Sequence, residues 1–202
     1  MIVLGLDTAL ASCSVAILRG GAKLFENFTV LEKGHAEALP LMAAKALEEA
    51  RIAPADLDRI GVVIGPGQFA GVRVGLAFAR GLALGQKAKV IGVDTLRALH
   101  ASHAIDGAMT AVAVDARRGE VFAALYGRAG EVIIAPFAAT PGGAAERLRA
   151  TSPEEPPTLI GSGAPLLSRA GFLAPDAPAQ GWSIDASAVA RFAAAAAPTA
   201  AS

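Results

Sequence analysis

The stretch "GPGQFAGVRVG", Gly65 to Gly75, sets four glycines into eleven positions, directly after the apolar run "RIGVVI" (59–64) and at the head of a helix-like segment ending near Leu84. Three readings compete for it. A Walker A loop needs a lysine and then Ser or Thr after its last glycine, and Val72 and Arg73 follow Gly71 instead. A dinucleotide fingerprint, G-x-G-x-x-A, is matched by Gly65, Gly67 and Ala70, with Asp94 at the end of the next strand-like run. Against this NAD-binding reading, Pro66 removes a backbone N–H from the turn that would face the pyrophosphate, and a long segment of strands and helix precedes the motif.

The third reading starts from the helix. Between Phe69 and Leu84 only Arg73 and Arg80 are charged, and at seven apart they share one narrow stripe. A helix that is apolar nearly all round must be covered on more than one side, and a sheet covers only one. Gly71 and Gly75 thin one face, at a cost of about 1 kcal/mol each relative to alanine. Close approach of another helix is the expected return: the protein's own Leu39–Ala50 helix, or helices of a second chain on a surface that would otherwise invite aggregation.

The rest of the chain fits a globular protein of this kind. Its 202 residues are 53% hydrophobic, and 18 basic side chains balance 18 acidic ones, so no broad field gathers nucleic acid or an anionic membrane. The single cysteine, Cys13, reads as core filler and excludes an internal disulfide. The opening "MIVLGLD" meets an aspartate before a signal-peptide core could form, and no uninterrupted apolar run reaches about 18 residues, so a cytoplasmic chain without a membrane span is expected.

Alternation predicts three N-terminal strands, Ile2–Leu6, Cys13–Leu18 and Lys23–Thr29, with Arg19–Gly21 as a hairpin turn. Helical spacing of Leu39, Met42, Ala43, Ala46, Leu47 and Ala50 predicts a helix, with Pro40 tolerated in its first turn. A strand at Ile60–Ile64, the glycine loop, the Phe69–Leu84 helix, a strand at Lys89–Val93 and a helix over Asp94–Ala104 close a first lobe. A second lobe opens with the strands of "AMTAVAVDARRGEVFAALYG" around a turn at Asp115–Gly119, followed by Val132–Ile134 and a helix near Ala144–Ala150. "TSPEEPP" (Thr151–Pro157) reads as a linker-like break and "TLIGSG" as a strand and turn, while the stretch from Ala186 reads as alanine-rich helix or frayed tail. Two lobes, 1–105 and 106–202, are expected.

"LGLDTALASCSVAIL", "HAEALP" (35–40), "GPGQFAGVRVG" and "DARRGEVF" (115–122), in this order, resemble the TsaB (YeaZ) family of bacterial tRNA threonylcarbamoyladenosine synthesis. The resemblance implies the actin-like, sugar-kinase-like ATPase fold, an α/β class with two lobes of mixed sheet and flanking helices. It implies a noncatalytic subunit that pairs with the catalytic paralogue TsaD, is joined by the ATPase TsaE, meets tRNA only indirectly and forms a homodimer when the partner is absent. The implied contact is a four-helix packing of first-lobe helices, which assigns an interface to His35, Leu39, Met42, Ala43 and Ala46 on one helix and to Phe69, Val72, Arg73, Leu76 and Arg80 on the other. Gly65, Gly67, Gly71 and Gly75 are then a structural loop and helix cap. The sequence departs from the family in two places: Gln68 and Ala70 stand where members usually carry Ser and Thr, and the family's terminal Pro-x-Tyr-Leu-Arg segment has no counterpart in "AAAAAPTAAS".

No catalytic residue and no metal ligand is assigned. His100 and His103 are three apart without an acidic third ligand, unlike the H-E-x-x-H pattern of a metallopeptidase, and the paralogue's metal histidines would align near Asp94 and Ala98. His35 with Glu37 precedes a helix and reads as a cap or a partner contact. A remnant nucleotide site is expected at Asp7, Thr8, Ser12 and Ser14 with Asp115: hydroxyls for phosphate oxygens and carboxylates for a magnesium-bound water. The alternative is that these groups satisfy the hairpin's own backbone. No intrinsic cofactor is expected, with ATP or ADP and magnesium placed at the interface with the partner. Asp115, Arg117 and Glu120 form a charged turn open to internal pairing or to a partner. An active ATP-dependent enzyme of the same fold is the alternative function, ahead of a metallopeptidase.

Overall fold

The computed structural model describes residues 1–151, 156–172 and 182–197. The chain divides into two compact units, Met1–Ala98 together with the segment from Ile184 onward, and Leu99–Ser183.

The first unit opens as the alternation predicts. Strands β1 (Ile2–Asp7), β2 (Ser12–Arg19) and β3 (Ala22–Val30) form an antiparallel meander. Helix α1 (His35–Glu49) follows, then β4 (Arg59–Val63), α2 (Phe69–Ala83) and β5 (Lys89–Val93). β4 lies parallel to β1 and β5 parallel to β4, giving the order β3-β2-β1-β4-β5. Because strand side chains alternate between faces, Leu4, Leu6, Cys13, Val15 and Ile17 join Leu39, Ala43 and Ala46 of α1 in one core. Val3 and Leu18 point the other way, onto the final helix α6 (Ala186–Ala195).

That last packing corrects the expected lobe boundary at both ends. The division falls at Ala98/Leu99, inside α3 (Thr95–His103), and the alanine-rich stretch is a helix of the first unit. Its small side chains suit glycines in the strands beneath: a Cβ on Gly5 would lie 2.1 Å from the Ala186 carbonyl oxygen, and one on Gly61 would lie 2.8 Å from the Ala193 Cβ. Arg59 anchors the far end, its Nη1 donating to the carbonyls of Ala193 (2.6 Å), Ala194 (3.2 Å) and Ala196 (2.7 Å), groups that a helix C-terminus leaves unpaired. At the near end the Ser187 N–H donates to Glu26 Oε1 at 3.1 Å.

The second unit repeats the topology. Strands β6 (Thr110–Arg117), β7 (Glu120–Tyr126) and β8 (Val132–Ala139) form a meander, and β9 (Thr158–Ile160) lies parallel to β6 in the order β8-β7-β6-β9. Helices α4 (Pro141–Thr151) and α5 (Ala164–Arg169) cover one face through Ala144, Ala145, Leu148 and Leu167, closed by Phe172. Strand β8 is longer than Val132–Ile134, and α5 was not expected. Of the linker-like "TSPEEPP", residues 152–155 lie outside the described residues, as do 198–202 at the end of the alanine-rich stretch. Two copies of a meander followed by a parallel strand, each sheet flanked by helices, make the actin-like, sugar-kinase-like α/β fold.

Candidate functional site

Three of the four glycines, Gly67, Gly71 and Gly75, meet the turn between β1 and β2, not another helix. A Cβ on Gly67 would lie 2.3 Å from the Ala9 carbonyl oxygen, one on Gly71 2.0 Å from the Thr8 carbonyl oxygen, and one on Gly75 2.6 Å from Thr8 Oγ1. The glycine face of α2 is therefore pressed onto the protein's own hairpin, which corrects the expectation of a thin face kept for a neighbouring helix. Gly65 completes the loop at φ 100°, where a side chain is disfavoured, and its carbonyl accepts from the Thr95 N–H at 2.9 Å.

Hydrogen bonds complete the clamp. Thr8 Oγ1 donates to the Gly71 carbonyl at 2.8 Å, the Gln68 N–H donates to the Ala9 carbonyl at 2.7 Å, and the Leu31 N–H donates to the Ala11 carbonyl at 3.1 Å. From α1, His35 Nε2 lies 3.2 Å from the Leu10 carbonyl; since a carbonyl only accepts, Nε2 carries the proton. His35 is buried and holds the turn, so the cap-or-contact expectation resolves to an internal contact. The amide of Gln68, the residue that precedes α2 and would face a pyrophosphate in a dinucleotide site, is bonded to Ala9. Asp94 accepts from the Leu96 and Arg97 N–H groups and so caps α3, rather than holding a ribose.

Asp7, Thr8, Ser12 and Ser14 are all buried. The Ser14 hydroxyl donates to the Ile184 carbonyl at 2.7 Å, and Asp7 Oδ1 accepts from the Ala9 N–H at 2.9 Å. Among the described residues, Asp7 Oδ2 and Ser12 Oγ have no hydrogen-bond partner. Burial pushes the Asp7 carboxyl up to about 7, more strongly than the N–H groups of Ala9 and Thr8 pull it down. The same burial, with Asp7 nearby, raises the Cys13 thiol to about 12. Most of the hydroxyls and amides that could cradle phosphate are thus committed to the fold. Asp115, on the second unit, is exposed and accepts from the Arg117 N–H at 2.7 Å.

The helix residues assigned to an interface separate by burial. Leu39, Ala43 and Ala46 are core, fully covered within the first unit, and Met42, Val72 and Leu76 are half-buried. What α2 turns outward is Phe69 (72% exposed), Arg73, Ala77, Arg80 and Leu84 (83% exposed), with the Arg73 guanidinium 4.1 Å from the Phe69 ring centroid. Leu41 on α1 and Ile64 before the loop are also exposed. Leu41, Ile64, Ala77 and Leu84 were missed as surface residues, although Leu84 and Ala77 extend the Phe69–Arg73 stripe at helical spacing. His100 stacks on Tyr126 and His103 meets Trp182 edge-on. Among the described residues no group of three His, Cys, Asp or Glu side chains gathers as a metal site would require.

Comparison with known proteins places this arrangement. The family model of TsaD, tRNA N6-adenosine threonylcarbamoyltransferase, matches residues 29–157. The TsaB protein of tRNA threonylcarbamoyladenosine biosynthesis from Escherichia coli K12 is 35% identical over 130 residues, 63% of this chain and 56% of that protein. Its Bacillus subtilis counterpart is 35% identical over 128 residues, 62% of this chain and 55% of that protein. The chain thus spans about half the length of the curated relatives it matches. Among solved structures, YeaZ from Pseudomonas aeruginosa superposes with a TM-score of 0.72 at 29% identity, over 93% of this chain and 88% of that one. An uncharacterized protein with similarity to peptidase YeaZ from Pseudomonas aeruginosa gives 0.66 at 31% identity, over 85% and 90%. The class is that of the actin-like proteins related to threonylcarbamoyltransferase. Within it, the chain belongs to the TsaB (YeaZ) family.

Proposed function

We propose that the chain is the noncatalytic partner subunit of tRNA threonylcarbamoyladenosine modification, binding the catalytic paralogue TsaD through the outer face of α2 and its α1 neighbour, with TsaE joining the pair. The observation that carries this reading is the outward stripe of α2, on which Phe69 and Leu84 stand largely in water while the opposite face is fixed to the hairpin. Large exposed side chains on a rigid helix are the anchors that protein interfaces bury. In the absence of TsaD the same stripe supports a homodimer. ATP or ADP with magnesium belongs, in this reading, at the interface with the partner.

Co-purification of the tagged chain with TsaD tests it. Phe69→Glu and Ala77→Glu change exposed positions and leave the fold intact; either should abolish the association. Gly75 and Ala79 are unsuitable probes, because both are buried within the first unit. Full retention of TsaD by the double variant would overturn the proposal. The reading as an active ATP-dependent enzyme is disfavoured by the commitment of Thr8, Ser14 and the Asp7 Oδ1 to internal hydrogen bonds.

A further inference from the structure

The β6–β7 turn carries backbone strain that the partner-helix reading does not use. Three successive residues, Arg117, Arg118 and Gly119, adopt φ of 58°, 63° and 81°. The turn between Arg117 and Glu120, which pair across it, has Arg118 and Gly119 at its two central positions. A tight hairpin of this kind wants Asn, Asp or Gly where Arg118 stands, and the left-handed backbone of the flanking Arg117 is equally disfavoured for its residue type. The ladder also slips between Asp115 and Arg117, a bulge that re-aims the side chains beyond it. The bulge is held from behind, with the Asp115 N–H on Ser162 Oγ and the Arg117 N–H on Asp115 Oδ1. Both arginines are exposed, and among the described residues neither guanidinium has an ion-pair or hydrogen-bond partner, although Glu120 sits opposite Arg117.

We propose that this turn contacts the phosphodiester backbone of RNA, with Arg117 and Arg118 supplying the guanidinium groups. Left-handed backbone at a non-glycine residue costs free energy, and it persists where the side chain's placement repays it. A guanidinium fork matches phosphate oxygens in pairs, which the ammonium of lysine does not. The chain as a whole is electrically balanced, so attraction of RNA has to be local. Arg118 stands at the tip of a narrow turn and Arg117 one step back, level with Glu120 and beyond Asp115, a narrow presentation that suits single charges strung along a backbone. The choice of RNA rests on the tRNA-modification reading above and replaces the expectation of purely indirect tRNA contact.

The test is a fluorescence-anisotropy titration of an unmodified tRNA transcript with the full chain in complex with TsaD, repeated across salt concentration. The Arg117→Gly/Arg118→Gly double variant removes the guanidiniums and relieves the backbone, so its thermal midpoint should stay level or rise. Its RNA affinity should fall about tenfold at low salt, and the slope of log Kd against log salt should flatten by roughly one to two. The Arg117→Lys/Arg118→Lys variant should keep most of that slope. Unchanged affinity and slope in the glycine variant would overturn the proposal. So would a glycine variant that binds RNA normally but no longer co-purifies with TsaD, which would assign the turn to the protein partner. If the unaltered chain does not associate with TsaD, the partner-subunit reading fails separately. The same titration on the chain alone then decides the turn: weaker binding by the glycine variant supports it, and equal binding overturns it.

Discussion

Thr8 and Gly71 share a two-way contact: the Thr8 hydroxyl donates to the Gly71 carbonyl at 2.8 Å, while the Thr8 carbonyl oxygen occupies the place a Gly71 Cβ would take. The β1–β2 turn and α2 are thereby fixed as one piece. A partner seated on the outer stripe of α2 would rest on a helix that cannot shift without moving Asp7 and Thr8.

Adding a methyl group along α2 separates the two kinds of glycine. Gly71→Ala forces backbone apart and should cost about 2 to 3 kcal/mol or more, as overpacking does. A Cβ on Gly81, in the same helix, would meet nothing within 4 Å, so Gly81→Ala should stabilise by about 0.5 to 1 kcal/mol through helix propensity. Urea denaturation of the two variants beside the unaltered chain checks both signs.

Asp7 makes stability depend on pH. Its carboxyl titrates near 3.8 when unfolded and at about 7 when folded, so between these values the folded chain binds more protons. Stability should be greatest below about pH 4 as far as this group is concerned, fall steadily as pH rises toward 7, and level off above. The full span is roughly 4 kcal/mol at the usual conversion of pKa difference to free energy. Asp7→Asn keeps an oxygen for the Ala9 N–H and cannot ionise. It should flatten that slope and be the more stable form at pH 8, as read by denaturation midpoints from pH 4 to 8.

Arg59 holds the end of α6 by three charge-assisted hydrogen bonds. Arg59→Met keeps the stem and removes the donors, leaving three carbonyls unpaired. The expected loss is about 1.5 to 3 kcal/mol, with faster amide hydrogen exchange concentrated in 186–195.

Truncating the outer stripe without adding charge should weaken association in proportion to the apolar area lost. Phe69→Ala should reduce TsaD binding about tenfold or more, as loss of a large interface anchor does, while the thermal midpoint stays within about 2 °C. Surface plasmon resonance with immobilised TsaD reads the first quantity and calorimetry the second.

Much of this is legible in the residues alone. The apolar runs of the first thirty residues place the meander within a residue, whereas the period of Leu39, Ala43, Ala46 and Leu47 places the body of α1 but not its start: the helix begins at His35, so Pro40 lies inside it and not in its first turn. The spacing of Gly71 and Gly75 reveals a thinned face but not its neighbour. A period identifies which residues share a side and is silent about what lies across from it. Gly67 and Ala79, which extend that stripe onto the loop and the sheet, are the unused clue. The alanine run from Ala186 carries only Ser187 and Arg191 as polar residues, too few to say what its other sides cover, so its assignment to the first sheet is hidden; Gly5 and Gly61, bare positions in the middle of two strands, mark where it lands. Burial of Leu39, Ala43 and Ala46 can be inferred from their period. The left-handed arginines cannot, because residue type alone would put glycine or asparagine there.

The placement of α6 also sets an order of events during synthesis. Gly5 and Gly61 leave the ribosome long before Ala186, and at translation rates of about 5 to 20 residues per second the interval is roughly 6 to 25 s. Throughout it, one side of the first sheet has no helix to cover Val3, Leu18 and the bare glycines. Closure of that side of the first sheet therefore waits on residues made well after the strands they cover.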